Sequence, residues 1–167
     1  MNLEQFNSLS TDEAFEALFR CCGSTAWAEA MDSERPFESR AALVERAESL
    51  WWSLDKKDWL EAFDAHPKIG DIDSLREKYS ASRSWSEGEQ QGVEGASEQI
   101  LTRLAEANEE YEERFGYIFI VCATGKSAGE MLSILEDRLP NEPDEELRIA
   151  AGEQAKITEI RLNKLLD

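Results

Sequence analysis

Leu43-Val44-Glu45-Arg46-Ala47-Glu48-Ser49-Leu50-Trp51-Trp52-Ser53-Leu54 sets the period of this chain. Leu43, Ala47, Leu50 and Leu54 recur at steps of four, three and four, with charged residues between them. That spacing predicts an amphipathic α-helix. Trp59 and Phe63 carry the pattern past a charged break at Asp55-Lys56-Lys57-Asp58. The segment then runs into Ala65-His66-Pro67-Lys68-Ile69-Gly70-Asp71.

The same period extends to both sides. Upstream, Ser10-Thr11-Asp12-Glu13 reads as a capping box, and Phe15, Leu18, Phe19 and Cys22 follow on one helical face. Gly23 can end that helix. A short helix follows over Thr25 to Met31, and Arg35-Pro36 lies in a loop. Downstream, Ser74 to Tyr79 predicts another short helix, and Ala81 to Gly88 is small, polar and turn-like. Glu89 to Phe115 predicts a long helix with Ile100, Leu104, Ala107, Tyr111 and Phe115 on one face, weakened at its start by Gly92 and Gly95. Gly116 breaks it. Tyr117 to Ala123 is aromatic and β-branched but has no partner strand, so it reads as a buried connector. Lys126 to Leu139 is helical, Pro140 stops it, and Asn141 or Asp144 caps a last helix to about Leu166. The expectation is an all-α, single-domain bundle of about seven to nine helices over residues 1–167.

Composition limits what such a bundle can do. Hydrophobic residues at 41% and charged residues at 32% are globular proportions. A formal net charge of -18 opposes binding to nucleic acid or to an anionic membrane, since phosphates would be repelled. Solubility, or an acidic face for a basic partner, accounts for the charge. The start, Met1-Asn2-Leu3-Glu4-Gln5, has no secretory pattern, and the longest apolar run, Ile118 to Ala123, is too short to span a bilayer. Three cysteines, Cys21, Cys22 and Cys122, form no disulfide framework, so reduced thiols and a cytoplasmic setting are expected.

His66 is the only histidine among 167 residues. Pro67 biases it away from helix, and Gly70 permits a turn that other residues resist. A side chain that titrates near neutrality thus sits on a stiff bend between two helical patterns. A lone histidine can equally be structural, and this one has no companions for a zinc site. No spaced aspartate motif suggests magnesium, and no Gly-x-Ser-x-Gly elbow suggests a serine nucleophile. Cys21-Cys22 lie on an amphipathic helix, where core packing is the plain explanation. Gly125-Lys126-Ser127 has the tail of a phosphate loop, but Ile120 stands where the first glycine is required. Ser86-Glu87-Gly88-Glu89-Gln90 reads by itself as a helix start, with Ser86 and Glu89 as a capping box. Arg161 lies one turn from both Ile157 and Leu165, inside an apolar arc. An arginine there calls for a carboxylate partner, from the protein or from a ligand.

Taken together, these clusters resemble the 2-oxo-4-hydroxy-4-carboxy-5-ureidoimidazoline (OHCU) decarboxylase family. The resemblance runs from Phe15 to Leu166. It is carried by His66-Pro67-Lys68-Ile69-Gly70, Ser86-Glu87-Gly88-Glu89-Gln90, Phe115-Gly116-Tyr117-Ile118-Phe119-Ile120-Val121-Cys122-Ala123 and Ile157-Thr158-Glu159-Ile160-Arg161-Leu162. Ile118 departs from the pattern, where many members have proline. The resemblance implies an all-α enzyme, commonly a homodimer, that converts OHCU to (S)-allantoin without a cofactor or metal. It implies His66 as acid/base, with Glu89 and Arg161 completing the catalytic set. Pro67 would fix the loop and touch the substrate. Ser86, Glu89 and Gln90 would hydrogen-bond it, with Glu87 and Gly88 in the same binding segment. Arg161 would hold an anionic or carbonyl oxygen. Phe119, Ile120, Val121, Cys122 and Ala123 would offer backbone groups and an apolar wall. Two other readings compete: a non-enzymatic acidic helical module, and a decarboxylase of another ureido acid on the same scaffold.

Overall fold

The computed structural model describes residues 1–68, 70–80 and 87–167, and the side chains of all of these except 80–97. Among the described residues there are nine helices and no strand: α1 Leu3–Asn7, α2 Thr11–Cys21, α3 Thr25–Ser33, α4 Arg40–Trp52, α5 Lys56–Asp64, α6 Ile72–Ser80, α7 Glu87–Phe115, α8 Ala128–Arg138 and α9 Pro143–Leu165. The all-α expectation holds. No described helix is long and apolar enough to cross a membrane.

The backbone falls into two compact units. One comprises residues 1–66, 120–122 and 149–167; the other comprises 67–119 and 123–148. In the first, Phe6, Leu18, Trp27, Met31, Leu43, Phe63 and Leu162 are fully buried. Each such side chain contributes roughly 1.5–3 kcal/mol by leaving water. Three indoles fix how the helices meet. Trp27 Nε1 donates to the Ala47 carbonyl at 3.0 Å, Trp51 Nε1 to Ala151 at 2.9 Å, and Trp59 Nε1 to Trp51 at 2.9 Å. These bonds tie α3 and α5 to α4, and α4 to α9, and spare three ring N–H groups the ~1–3 kcal/mol cost of burial without a partner.

The core of the second unit is Leu101, Leu104, Ala107 and Tyr111 of α7 with Leu75, Met131, Leu135 and Leu147. Gly116, at φ +84°, ends α7 as its position suggests. Residues 117–123 form the expected connector without a strand, and Ile120 and Cys122 are buried. Gly125-Lys126-Ser127 proves to be a helix start, where Ser127 Oγ accepts the Glu130 N–H at 3.2 Å.

Three details differ from expectation. The buried stripe of α4 is Leu43, Ala47 and Trp51, while Leu50 and Leu54 are half-buried, because the indole fills the core and spends its N–H there. The short helix α1 has no apolar period to announce it. It is held by Phe6, by the Asn2–Gln5 capping box and by Arg35 Nη1, which donates to the carbonyls of Phe6, Asn7 and Leu9. Asn141 spends its side-chain amide on Glu146 rather than on a cap, and α9 opens with Pro143 at a first position that needs no N–H.

Candidate active site

The position of His66 follows from how α5 stops. Pro67 disfavours helical geometry for the residue before it, so α5 ends at Asp64 and the His66 N–H turns back to the Phe63 carbonyl at 3.2 Å. The bend is held from behind by Gly23. A Cβ built on Gly23 would stand 2.4 Å from the Ala65 Cβ, so only glycine lets the α2–α3 turn come this close. As expected, α2 ends just before Gly23, at Cys21, but without a positive φ at the glycine, whose work is this close approach. Gly70 also sits in close quarters. It lies against Asn108, where a Cβ would come within 3.3 Å of the neighbour's Cβ.

The His66 ring is half-buried, and its Nε2 lies 2.5 Å from Gln154 Oε1. Burial pushes its pKa below the ordinary imidazole value of 6.5; the Gln154 bond opposes this and the positive charge of Arg161 adds to it. At neutral pH the ring is therefore uncharged and can accept a proton.

Helix α9 supplies the partners. Gln154, Thr158 and Arg161 stand at steps of four and three, one stripe of the helix. Gln154 is fully buried. Its Nε2 donates to Thr158 Oγ1 at 3.1 Å, and that hydroxyl donates to the Gln154 main-chain carbonyl at 2.9 Å. Arg161 is half-buried, and its Nη1 donates to the Cys21 carbonyl at 3.3 Å. Among the described residues no carboxylate forms an ion pair with it. The carboxylate that its apolar setting called for is not supplied by these residues. Cys21 and Cys22 are free and buried, and burial pushes their thiols up to about 11 and about 12. They are packing groups rather than nucleophiles, as read from the sequence.

The same helix steadies the connector. Glu153 accepts the Cys122 N–H at 3.1 Å and pairs with Lys156 at 2.6 Å. That donor is thus already occupied. His66, Arg161 and residues 120–122 belong to one unit, whereas Pro67, Glu87–Gln90, Phe119 and Ala123 belong to the other. Pro67 is exposed, and the neighbouring Lys68 pairs with Glu112 at 2.8 Å. The Phe119 ring lies beneath the Arg138 guanidinium at 4.6 Å and meets the edge of Tyr111 at 5.2 Å. Val121 and Ala123 are half-buried. Ser86 lies outside the described residues. Glu87, Gly88, Glu89 and Gln90 occupy the first turns of α7, and their side chains lie outside the described set.

No part in the site was anticipated for Gln154, Thr158, Glu153 or Gly23. For the first two a signal exists: like Arg161, they are polar residues on one stripe of a helix that is otherwise apolar there. Among the described residues no three His, Cys, Asp or Glu side chains converge to hold a metal ion.

Comparisons with known proteins agree on one family. The sequence profile described as OHCU decarboxylase matches residues 7–163. The uric acid degradation bifunctional protein of Arabidopsis thaliana is 41% identical over 146 residues, which cover 87% of this chain; the chain spans 45% of that longer protein. The OHCU decarboxylase of Amia calva is 31% identical over 99% of this chain and 95% of its own. Among solved structures, an OHCU decarboxylase crystallised in the presence of (S)-allantoin superposes with TM-score 0.71 at 39% identity, covering 89% of this chain and 95% of that one. An (S)-allantoin synthase at 20% identity shares the fold, with TM-score 0.74 over 100% of this chain and 55% of its own.

Proposed function

The chain belongs to the OHCU decarboxylase family, and we propose that it decarboxylates OHCU to (S)-allantoin as one cofactor-free domain, with His66 as the acid/base. The observation that carries this reading is a neutral, half-buried imidazole in the same unit as an arginine whose charge no described carboxylate neutralises.

The substrate explains why so small a set of residues suffices. Its carboxylate is on a ring carbon that also bears hydroxyl, and the adjacent carbon is doubly bonded to a ring nitrogen. When the carbon–carboxylate bond breaks, carbon dioxide leaves and the electron pair forms a carbon–carbon double bond. The C=N pair moves onto nitrogen, which takes up a proton. The resulting enol then loses its hydroxyl proton and gains one on the ureido-bearing carbon. The substrate is its own electron sink, and the protein has only to place it and manage protons.

In this reading His66 takes the hydroxyl proton, a role worth about 10²–10⁴-fold. Arg161 holds an anionic or carbonyl oxygen, and Glu89 orients the ring or delivers the final proton. The family resemblance further assigns substrate contacts to Pro67, Ser86–Gln90 and Phe119–Ala123. We further read the enzyme as a cytoplasmic homodimer, for which sedimentation should give twice the 18.9 kDa chain mass.

The test is circular dichroism of allantoin formed from freshly oxidised urate. The wild-type protein should hasten formation of the (S) form, while His66→Ala should leave slow decay to the racemate. Full, stereospecific turnover by His66→Asn would end the assignment of His66.

A further inference from the structure

We propose that Gln154, locked by Thr158, holds His66 in its Nε2–H form, so that Nδ1 is the only proton-accepting nitrogen of the ring. Gln154 would be a positioning residue: it acts through His66 and need not touch substrate.

The direction of the Gln154 amide decides the matter, and Thr158 sets that direction. The Thr158 hydroxyl proton is committed to the Gln154 main-chain carbonyl, one turn back at 2.9 Å. Its lone pairs are then left to receive N–H or S–H donors. One faces Gln154 Nε2 at 3.1 Å. The amide must therefore present its NH₂ to Thr158 and its oxygen to His66. An amide oxygen only accepts, so the ring nitrogen 2.5 Å away must carry the hydrogen. In a neutral imidazole the second nitrogen is then the acceptor. Gln154 is fully buried, so water does not compete for either end of its amide. A neutral amide is also well suited to this task. A carboxylate there would stabilise imidazolium and remove the base at neutral pH. Among the described residues the charged group acting on the ring is Arg161 of α9, which works in the opposite direction.

The inference deepens the proposed reaction, since it presupposes that His66 is the acid/base. It can nevertheless be tested without substrate, because His66 is the only histidine in the chain. A long-range ¹H–¹⁵N spectrum of the whole protein contains one imidazole. At pH 8 the wild type should show a protonated Nε2 and a bare Nδ1, and Nδ1–H in the neutral ring would overturn the proposal. Gln154→Glu should keep the tautomer, raise the His66 pKa and move the acid limb of kcat/KM upward with it. Gln154→Leu should mix the tautomers and lower kcat about tenfold, the worth of one hydrogen bond, with KM little changed. An unaltered tautomer and pKa in both variants would overturn it as well. Should Gln154→Leu fail to fold, the wild-type and Gln154→Glu spectra still decide. An inactive protein with the expected spectrum would break the proposed reaction and leave this arrangement standing.

Discussion

Arg138 in α8 and Arg161 in α9 are both withdrawn from solvent, yet their charges are handled in opposite ways. Arg138 Nε donates to the two Glu146 carboxylate oxygens at 3.1 and 2.9 Å, and the Tyr111 hydroxyl and Asn141 amide complete that carboxylate. Its guanidinium also lies over the Phe119 ring. Its charge is answered inside its own unit. Arg161 spends one N–H on a main-chain carbonyl and, among the described residues, meets no counter-charge. A buried arginine paired within the protein is structural. One that keeps its charge unanswered is suited to an anion that arrives and leaves. The difference lies in the partners, not in the residue type.

The sharpest way to break this contrast is to unpair Arg138. Arg138→Met leaves Glu146 as an unpaired charge with 0% exposure, so unfolding in urea should show a loss of about 3–5 kcal/mol. Arg138→Met with Glu146→Leu should recover most of that, because removing both charges also removes their desolvation cost. A tolerated single variant would mean that the pair is not the anchor of its unit. The matching change at Arg161 should act on chemistry. Arg161→Gln should lower kcat/KM by about 10²–10³-fold while shifting stability by no more than about 1 kcal/mol, the worth of its one carbonyl bond. If Arg161→Gln unfolds the protein but leaves the turnover of the folded fraction intact, the two arginines are alike and the contrast fails.

How much of this was legible beforehand follows from the same distinction between residue and partner. Helices α2, α4, α7 and α8 announce themselves, because a repeating apolar face needs only sequence spacing. His66 and Arg161 stand out because each breaks a local rule: one is pinned by proline, the other is charged within an aliphatic arc. Helix α1 is five residues long and has no period to read; it exists because Arg35, remote in sequence, collects its last carbonyls. Gln154 and Thr158 share the stripe of Arg161, but spacing does not tell what they hold; that needs the end of α5 seen against α9. Leu50 and Leu54 gave way to Trp51 because α4 can turn either neighbouring face inward, and the bond from Trp51 to Ala151 decides between them.

Gly23 belongs to the same class of contacts that spacing does not reveal, and it extends the comparison to the backbone. Gly23→Ala places a methyl against the Ala65 methyl, neither of which can swing away. Overpacking of this kind costs about 1–3 kcal/mol. The neighbouring His66 should be displaced as well, so activity should fall by more than the stability loss alone explains. Gly23→Ala with Ala65→Gly should restore both, as read by thermal unfolding and by the handedness of the allantoin formed.

The smallest effect is also the most direct probe of an unanswered charge. The field of Arg161 contributes to holding the His66 pKa below its ordinary value of 6.5, although burial is the larger cause. The wild-type acid limb of kcat/KM should therefore lie below 6.5, with activity lost as pH falls and the ring takes up the proton that it must receive from substrate. Arg161→Gln removes a repulsive neighbour of the imidazolium, so the titration of this single histidine, followed by NMR, should move upward. Arg161→Lys keeps the charge and should move it less, while still losing turnover through its poorer fit to a planar anion. A His66 titration unchanged in Arg161→Gln would show that the guanidinium charge is screened after all, and the distinction between the two arginines would then rest on geometry alone.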